Sequence, residues 1–235
     1  FDVLDVYYNS SIDYTRETNF VGLVSDRFDF LEGEIRSSSG VCIPEENYLR
    51  YLHKEVLPYS QAVGYKFKGK TYMVGALARL NLNKDALHKD TRKDAAKYLR
   101  KFPSNNIFHN NLAQGIEILH SIDHSIEIME STDFKHEEPL RMEPKECEGV
   151  GVIEAPRGTL FYRLSIDKKG MIRNGNIVVP TQQNQINMEL DIKKLVQDKI
   201  KILSKKDIEY EIEKLIRAYD PCISCASHFL KVNWV

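Results

Sequence analysis

The chain has 235 residues, 42% of them hydrophobic, enough to bury a substantial core in one large domain or two small ones. Thirty-three Lys plus Arg against thirty-four Asp plus Glu give a formal net charge of -1, which removes any whole-chain electrostatic case for nucleic acid. No apolar run approaches the roughly 20 residues that a membrane-spanning helix needs, so no membrane span is expected.

The chain opens on Phe1, and Phe1 to Tyr8 has neither the basic start nor the small-residue cleavage site of a signal peptide. An upstream part is therefore expected to be missing. From Val21 to Val41, short apolar runs separated by Gly and Ser predict hairpin-like strands. A second strand pair is predicted around Lys68-Gly69-Lys70, joining Tyr65-Lys66-Phe67 to Thr71-Tyr72-Met73-Val74. Asp85 to Leu99 has helical composition, and the Lys/Arg stretch from Lys89 to Lys101 reads as a solvated helix face. Leu112, Ile116, Leu119, Ile122, Ile126 and Met129 recur at three- and four-residue spacing, which predicts a long amphipathic helix over Asn111 to Glu130, packed mostly in the core.

Lys135 to Cys147 is polar, contains Pro139 and Pro144, and reads as a loop into a new strand unit. In that unit Asp167-Lys168-Lys169-Gly170 joins Thr159–Ile166 to Met171–Val179 as an antiparallel hairpin. Helical patterning returns over Asn187 to Leu203 and Lys206 to Tyr219, and Pro221 ends it. The whole predicts a helix-dominated α+β domain with small antiparallel sheets and no internal repeat.

The densest group of ligand-type side chains is Asp220-Pro221-Cys222-Ile223-Ser224-Cys225-Ala226-Ser227-His228. Proline breaks the preceding helix, and a tight turn across the CxxC brings two soft thiolates toward one centre, where each sulfur can bridge two transition-metal ions. By itself the CxxC leaves three readings open: metal site, redox dithiol or packed thiols. Zinc would need Cys42 and Cys147 to converge on the pair, and a thioredoxin-like dithiol is expected near the start of a βαβ unit, whereas this pair lies near the end of the chain. The four cysteines are irregularly spaced, which argues against a secreted disulfide framework and favours metal binding in a reducing cytoplasm.

Read together, five ordered segments resemble nickel-iron hydrogenase large subunits. They are Gly75-Ala76-Leu77-Ala78-Arg79-Leu80-Asn81, Phe108-His109-Asn110-Asn111-Leu112-Ala113-Gln114, Glu154-Ala155-Pro156-Arg157-Gly158 (EAPRG), Val178-Val179-Pro180-Thr181 (VPT) and the Cys222 to His228 signature. The resemblance implies that Cys222 is a terminal nickel ligand and that Cys225 bridges nickel to an iron carrying carbonyl and cyanide ligands. It implies that Pro156, Arg157, Val179, Pro180 and Thr181 wall those diatomic ligands, with Arg157 and Thr181 as donors and Arg157 also placed to take part in heterolytic hydrogen cleavage. His228 would bind magnesium or iron beneath the site. Arg79 and His109 are expected to be structural, and Cys42 and Cys147 to be packing thiols.

The family's other cysteine pair, in an RxCGxC segment, has no match in these residues, so the chain is expected to be the C-terminal portion of a large subunit and inactive alone. Expected partners are an iron-sulfur small subunit, packed on the face carrying Cys222, and maturation factors. The motif style is closest to cytoplasmic hydrogenases with soluble acceptors. Phe229 to Val235 extends past His228, either as an unprocessed extension or as a strand. The alternative from another class is a noncatalytic large-subunit-like fragment that serves as an interaction module.

Overall fold

A computed structural model describes residues 1–60, 62–224 and 232–234. Helix α1 (Asp2–Tyr8) precedes strands β1 (Asn19–Val24), β2 (Glu34–Ser37), β3 (Cys42–Ile43), β4 (Leu52–Glu55), β5 (Gly64–Phe67) and β6 (Tyr72–Met73). Helices α2 (Ala76–Asn83), α3 (Lys89–Asp94), α4 (Ala96–Leu99) and α5 (His109–Ser131) follow. Then come β7 (Cys147–Ala155), β8 (Gly158–Ile166), β9 (Ile172–Val178), α6 (Pro180–Lys199) and α7 (Lys205–Tyr219). This is the expected α+β architecture, and among the described residues no helix is long and apolar enough to cross a membrane.

Two packed clusters share the strand β1. Phe20 joins a helical core containing Leu77, Leu80, Leu112, Ile116 and Leu215, while Val21 and Leu23 join a second core with Ile35, Phe67, Tyr72 and Phe161. Alternation along a strand produces this division, since successive side chains leave opposite faces. The predicted β1–β2 pairing forms, in antiparallel register from Val21↔Ser37 to Val24↔Glu34. The hairpin predicted at Lys68-Gly69-Lys70 does not extend beyond one bridge, Phe67↔Lys70. Instead β5 pairs with β4, and β6 lies parallel to β1, a departure from the purely antiparallel expectation. The chain does turn there, with Lys68 and Gly69 at positive φ, but β1 offers Tyr72 and Met73 burial on both of its faces.

Several helix boundaries also differ. Asp85 to Leu99 is broken into a 3-10 turn and the short helices α3 and α4. Helix α6 begins at Pro180, seven residues before the predicted start, because proline at the first helical position requires no donated hydrogen bond. Helix α5 has the predicted extent, but only its first half is core. Asn110, Leu112, Ala113, Ile116, Glu117 and His120 are buried, whereas Ile118, Ile122, Ile126 and Met129 face outward. The segment before Cys147 is a loop as expected, yet it leads directly into β7, a strand that the sequence reading did not delimit. Cys42 and Cys147 are exposed and are therefore not packing thiols; Cys42 Sγ lies 3.1 Å from Glu34 Oε2.

Buried His120 accepts from the His88 N–H through Nδ1 at 3.0 Å and donates from Nε2 to the Phe28 carbonyl at 2.9 Å. Only the neutral ring does both, and burial holds its pKa below the ordinary histidine value. The unfolded chain then binds more protons just below pH about 6.5, so this contribution is complete above that pH and is lost as pH falls toward the folded-state value. Urea midpoints should decline from about pH 7.5 to about pH 5.5, and His120→Gln should flatten that decline. An unchanged slope in the variant would remove His120 as the cause.

Candidate metal centre

The sheet β7-β8-β9 assembles one side of the site. Ala155↔Gly158 closes the β7–β8 hairpin, so Pro156-Arg157 are the two residues of its turn. Because β8 and β9 are antiparallel, with Phe161↔Val178 in register, β9 leaves the sheet at the end where β8 begins. The EAPRG turn and the VPT segment therefore share one end of the sheet. Gly158 makes the close approach possible: its φ is +134°, and an added Cβ would sit 2.8 Å from Gly75 N and 2.4 Å from Val74 Cγ2. Gly75, at φ +119°, likewise faces the Arg157 carbonyl, which would be 3.0 Å from a Cβ.

Under this turn lies Arg79, 2% exposed at its side chain, with all five guanidinium N–H donors engaged. It grips Glu117 bidentately at 2.6 Å and 2.6 Å, donates to Glu154 Oε2 at 2.7 Å, and donates to the carbonyls of Ala155 and Pro156, each at 3.1 Å. The other Glu154 oxygen accepts from Leu23 N–H at 2.8 Å and from the Thr159 hydroxyl at 2.7 Å. Burial pushes the Glu117 carboxyl up, against the pull of the Arg79 charge. Arg79 is thus structural, as expected, and its work is to fix the backbone of the EAPRG turn.

The third component arrives from α7. Asp220 adopts the left-handed conformation, φ 51° and ψ 54°, and so turns the chain off the helix end toward the hairpin. Arg157 donates from Nε to the Asp220 carbonyl at 2.9 Å and from its terminal nitrogen to Oδ1 at 3.2 Å, while Gln114 Nε2 donates to Oδ2 at 3.1 Å. Two residues on, Cys222 N–H donates to the buried Thr181 hydroxyl oxygen at 3.0 Å. That bond leaves the Thr181 O–H proton for another acceptor. Behind the loop, Asn110 accepts from Leu77 N–H at 3.0 Å and donates to the Ala218 carbonyl at 2.9 Å, tying together α2, α5 and the end of α7. Tyr219 OH donates to Asp191 at 2.5 Å and accepts from Asn187 at 2.8 Å; burial and the neighbouring Asp191 charge push the phenol pKa up.

The fold thus brings Arg157, Thr181 and Cys222 together, with Pro156 exposed beside Arg157, Val179 half-buried and Pro180 buried at the start of α6. Pro180 opens a helix and does not merely end a strand. Cys225 and His228 lie outside the described residues. Asp220, Gln114, Asn110 and Glu154 carry the geometry without having been assigned roles from the sequence. Their segments were legible as motifs, but their pairings span 33 to 131 residues along the chain.

A family model described as nickel-dependent hydrogenase matches residues 43–228. This chain belongs to the nickel-dependent hydrogenase family. Sulfhydrogenase 1 subunit alpha of Pyrococcus furiosus is 33% identical over 220 residues, covering 88% of this chain and 48% of that protein. The NAD-reducing hydrogenase HoxS subunit beta of Cupriavidus necator is 29% identical over 232 residues, covering 95% of this chain and 45% of that protein. The fold is that of an NAD+-reducing nickel-iron hydrogenase crystallised in its hydrogen-reduced state, with TM-score 0.73 at 23% identity over 95% of this chain and 52% of that one. The chain spans about half the length of the hydrogenase relatives it matches.

Proposed function

We propose that this chain is the C-terminal portion of a nickel-iron hydrogenase catalytic subunit, acting in the reversible cleavage of hydrogen to protons and electrons. The observation that carries this reading is the convergence of Cys222, Thr181 and Arg157 around the Asp220 turn. The donor chemistry fits once the disulfide that Cys222 carries in this structure is reduced: a soft sulfur then lies beside a wall containing Pro156, Val179 and Pro180, where few polar groups compete with the metal's small ligands. Of the proposed ligands, Cys222 lies among the described residues, whereas Cys225 and His228 lie outside them. Cys222 and Cys225 would hold nickel and the bridge to iron, and two further thiolates must come from polypeptide outside these residues. His228 would hold magnesium or iron.

When bound, the nickel-iron pair supplies the Lewis-acidic centre on which hydrogen is split, its iron carrying carbonyl and cyanide. Thr181 positions the backbone at Cys222 and retains a proton to donate. Arg157, tethered at Nε by the Asp220 carbonyl, is held at the loop that leads to Cys222, where with the metals bound it would stabilise developing negative charge and order proton movement. Electrons would leave through iron-sulfur clusters in a small subunit, and maturation factors would load the metals. Sequence likeness to soluble-acceptor hydrogenases supports a cytoplasmic setting.

That no RxCGxC segment occurs in these residues supports a second reading, a noncatalytic interaction module. The complex purified after co-expression with maturation factors distinguishes the two. Nickel near one equivalent with hydrogen–deuterium exchange activity is expected for the hydrogenase; a well-assembled complex without nickel would support the module.

A further inference from the structure

His120 lies on the buried side of α5, one turn beyond Glu117, and both of its ring nitrogens are committed: the His88 N–H donates to Nδ1, and Nε2 donates to the Phe28 carbonyl. Phe28 meets the imidazole edge-on with ring centroids 5.0 Å apart, and its own N–H donates to the Ala86 carbonyl at 3.0 Å. Two residues on, Phe30 carries this constraint to the EAPRG turn. Its ring stands edge-on to Phe28 at 5.8 Å, and the Arg79 guanidinium lies over it, 5.5 Å from the centroid. Its carbonyl accepts from the Glu154 N–H at 2.7 Å. Phe28-Asp29-Phe30 thus runs from His120 to both supports of the turn, the Glu154 backbone and the guanidinium that holds the Ala155 and Pro156 carbonyls. A short segment bonded at both ends and packed by aromatic rings passes a displacement from one end to the other, because close-packed side chains have few alternative arrangements.

A proton on His120 forces such a displacement. The doubly protonated ring has only donors, so Nδ1–H would face the His88 N–H, and the ring must turn and give up a bond. Burial is the largest influence on the ring and favours its neutral form; the Phe28 carbonyl opposes this, His124 and His88 reinforce it, and Asp123 opposes it. Arg27, Lys89 and Glu127 line the cavity that His120 also lines. Of the other charged groups nearby, Glu117 is committed to Arg79, and Asp29 accepts from the Leu31 N–H at 2.7 Å.

We propose that His120 is a positioning residue for the EAPRG turn, acting through Phe28-Asp29-Phe30, so that a proton on its ring loosens the backbone that presents Arg157. Its consequence for catalysis rests on the hydrogenase reading; the coupling to the turn rests on the contacts of this chain. Above about pH 6.5 the ring is neutral, both of its bonds are made and the turn is held. As pH falls toward the folded-state value, the Phe28 carbonyl loses its donor, Phe30 shifts, and the Glu154 N–H and the Arg79 guanidinium lose part of their support.

The test is made in the complex purified after co-expression with maturation factors, and its first readout is amide exchange with solvent, corrected for the intrinsic effect of pH. Protection of the Glu154 N–H is expected to fall at least about tenfold between about pH 7.5 and about pH 5.5, while the β4–β5 ladder, in the second core, keeps its protection. His120→Gln offers one donor and one acceptor without titrating, and should abolish that fall. Phe30→Leu leaves the histidine but takes the ring from the Arg79 guanidinium, so protection at Glu154 should be low at both pH values. An equal loss in the β4–β5 ladder would mean that His120 only stabilises the fold, and an undiminished fall in His120→Gln would assign the effect to another group; either result overturns the proposal. The second readout is catalytic hydrogen–deuterium exchange against pH, where His120→Gln should move the acid limb down by at least about 0.5 pH unit. An unmoved limb in a nickel-containing, active complex also overturns the proposal and leaves the hydrogenase reading intact. Local loss of protection at Glu154 in a nickel-free complex upholds the coupling and refutes only the hydrogenase activity.

Discussion

Replacing Arg79 with alanine is expected to destabilise the fold by about 3–5 kcal/mol, the usual cost of removing one partner from a buried ion pair. Domain stabilities are about 5–15 kcal/mol, so this change alone brings the chain near unfolding. The cause is specific. Glu117 and Glu154 would stay buried, the first with neither of its guanidinium donors, the second with only Leu23 N–H and Thr159 hydroxyl. The carbonyls of Ala155 and Pro156 would also lose their donor, and the EAPRG turn would lose its floor. Arg79→Lys keeps the charge but not the five-donor fork, and should fall between the two. Equilibrium urea unfolding measures this directly. A loss below about 1 kcal/mol in Arg79→Ala would mean that the carboxylates find other partners, and the network would no longer account for the turn.

In the assembled complex, Cys225→Ser is expected to abolish nickel loading and to cut hydrogen–deuterium exchange by more than about 100-fold, beyond the 10–100-fold typical of outer-shell substitutions. Oxygen is harder than sulfur and bridges soft metal ions poorly, so assembly fails without a defect in backbone folding. Cys147→Ser is the matched control, because Cys147 is an exposed thiol on β7 and its loss should change neither metal content nor the unfolding midpoint. Near-normal nickel and activity in Cys225→Ser would remove the bridging assignment. Equal damage from both substitutions would point to a shared folding defect.

The sequence by itself was enough for what depends on neighbouring residues. Asp167 to Gly170 announces the β8–β9 hairpin, which forms with the Asp167 carboxylate capping its own turn at 2.8 Å and 3.0 Å. The apolar spacing of α7 and the proline after it are equally local, and the ordered motifs were sufficient to place the chain in its family. These signals are legible because helix and turn contacts join residues no more than about four apart. The tertiary structure alone decided the rest. The parallel β1–β6 pairing prevailed over a plausible local hairpin because burial on both faces of β1 outweighs a favourable turn. Arg79 meets Glu154 across 75 residues, and Gln114 meets Asp220 across 106, pairings that no spacing announces. The periodicity of α5 revealed an apolar face, but not that half of it would be exposed among the described residues. Periodicity specifies which side of a helix avoids water, while the surface that covers that side is set by the packing of distant segments.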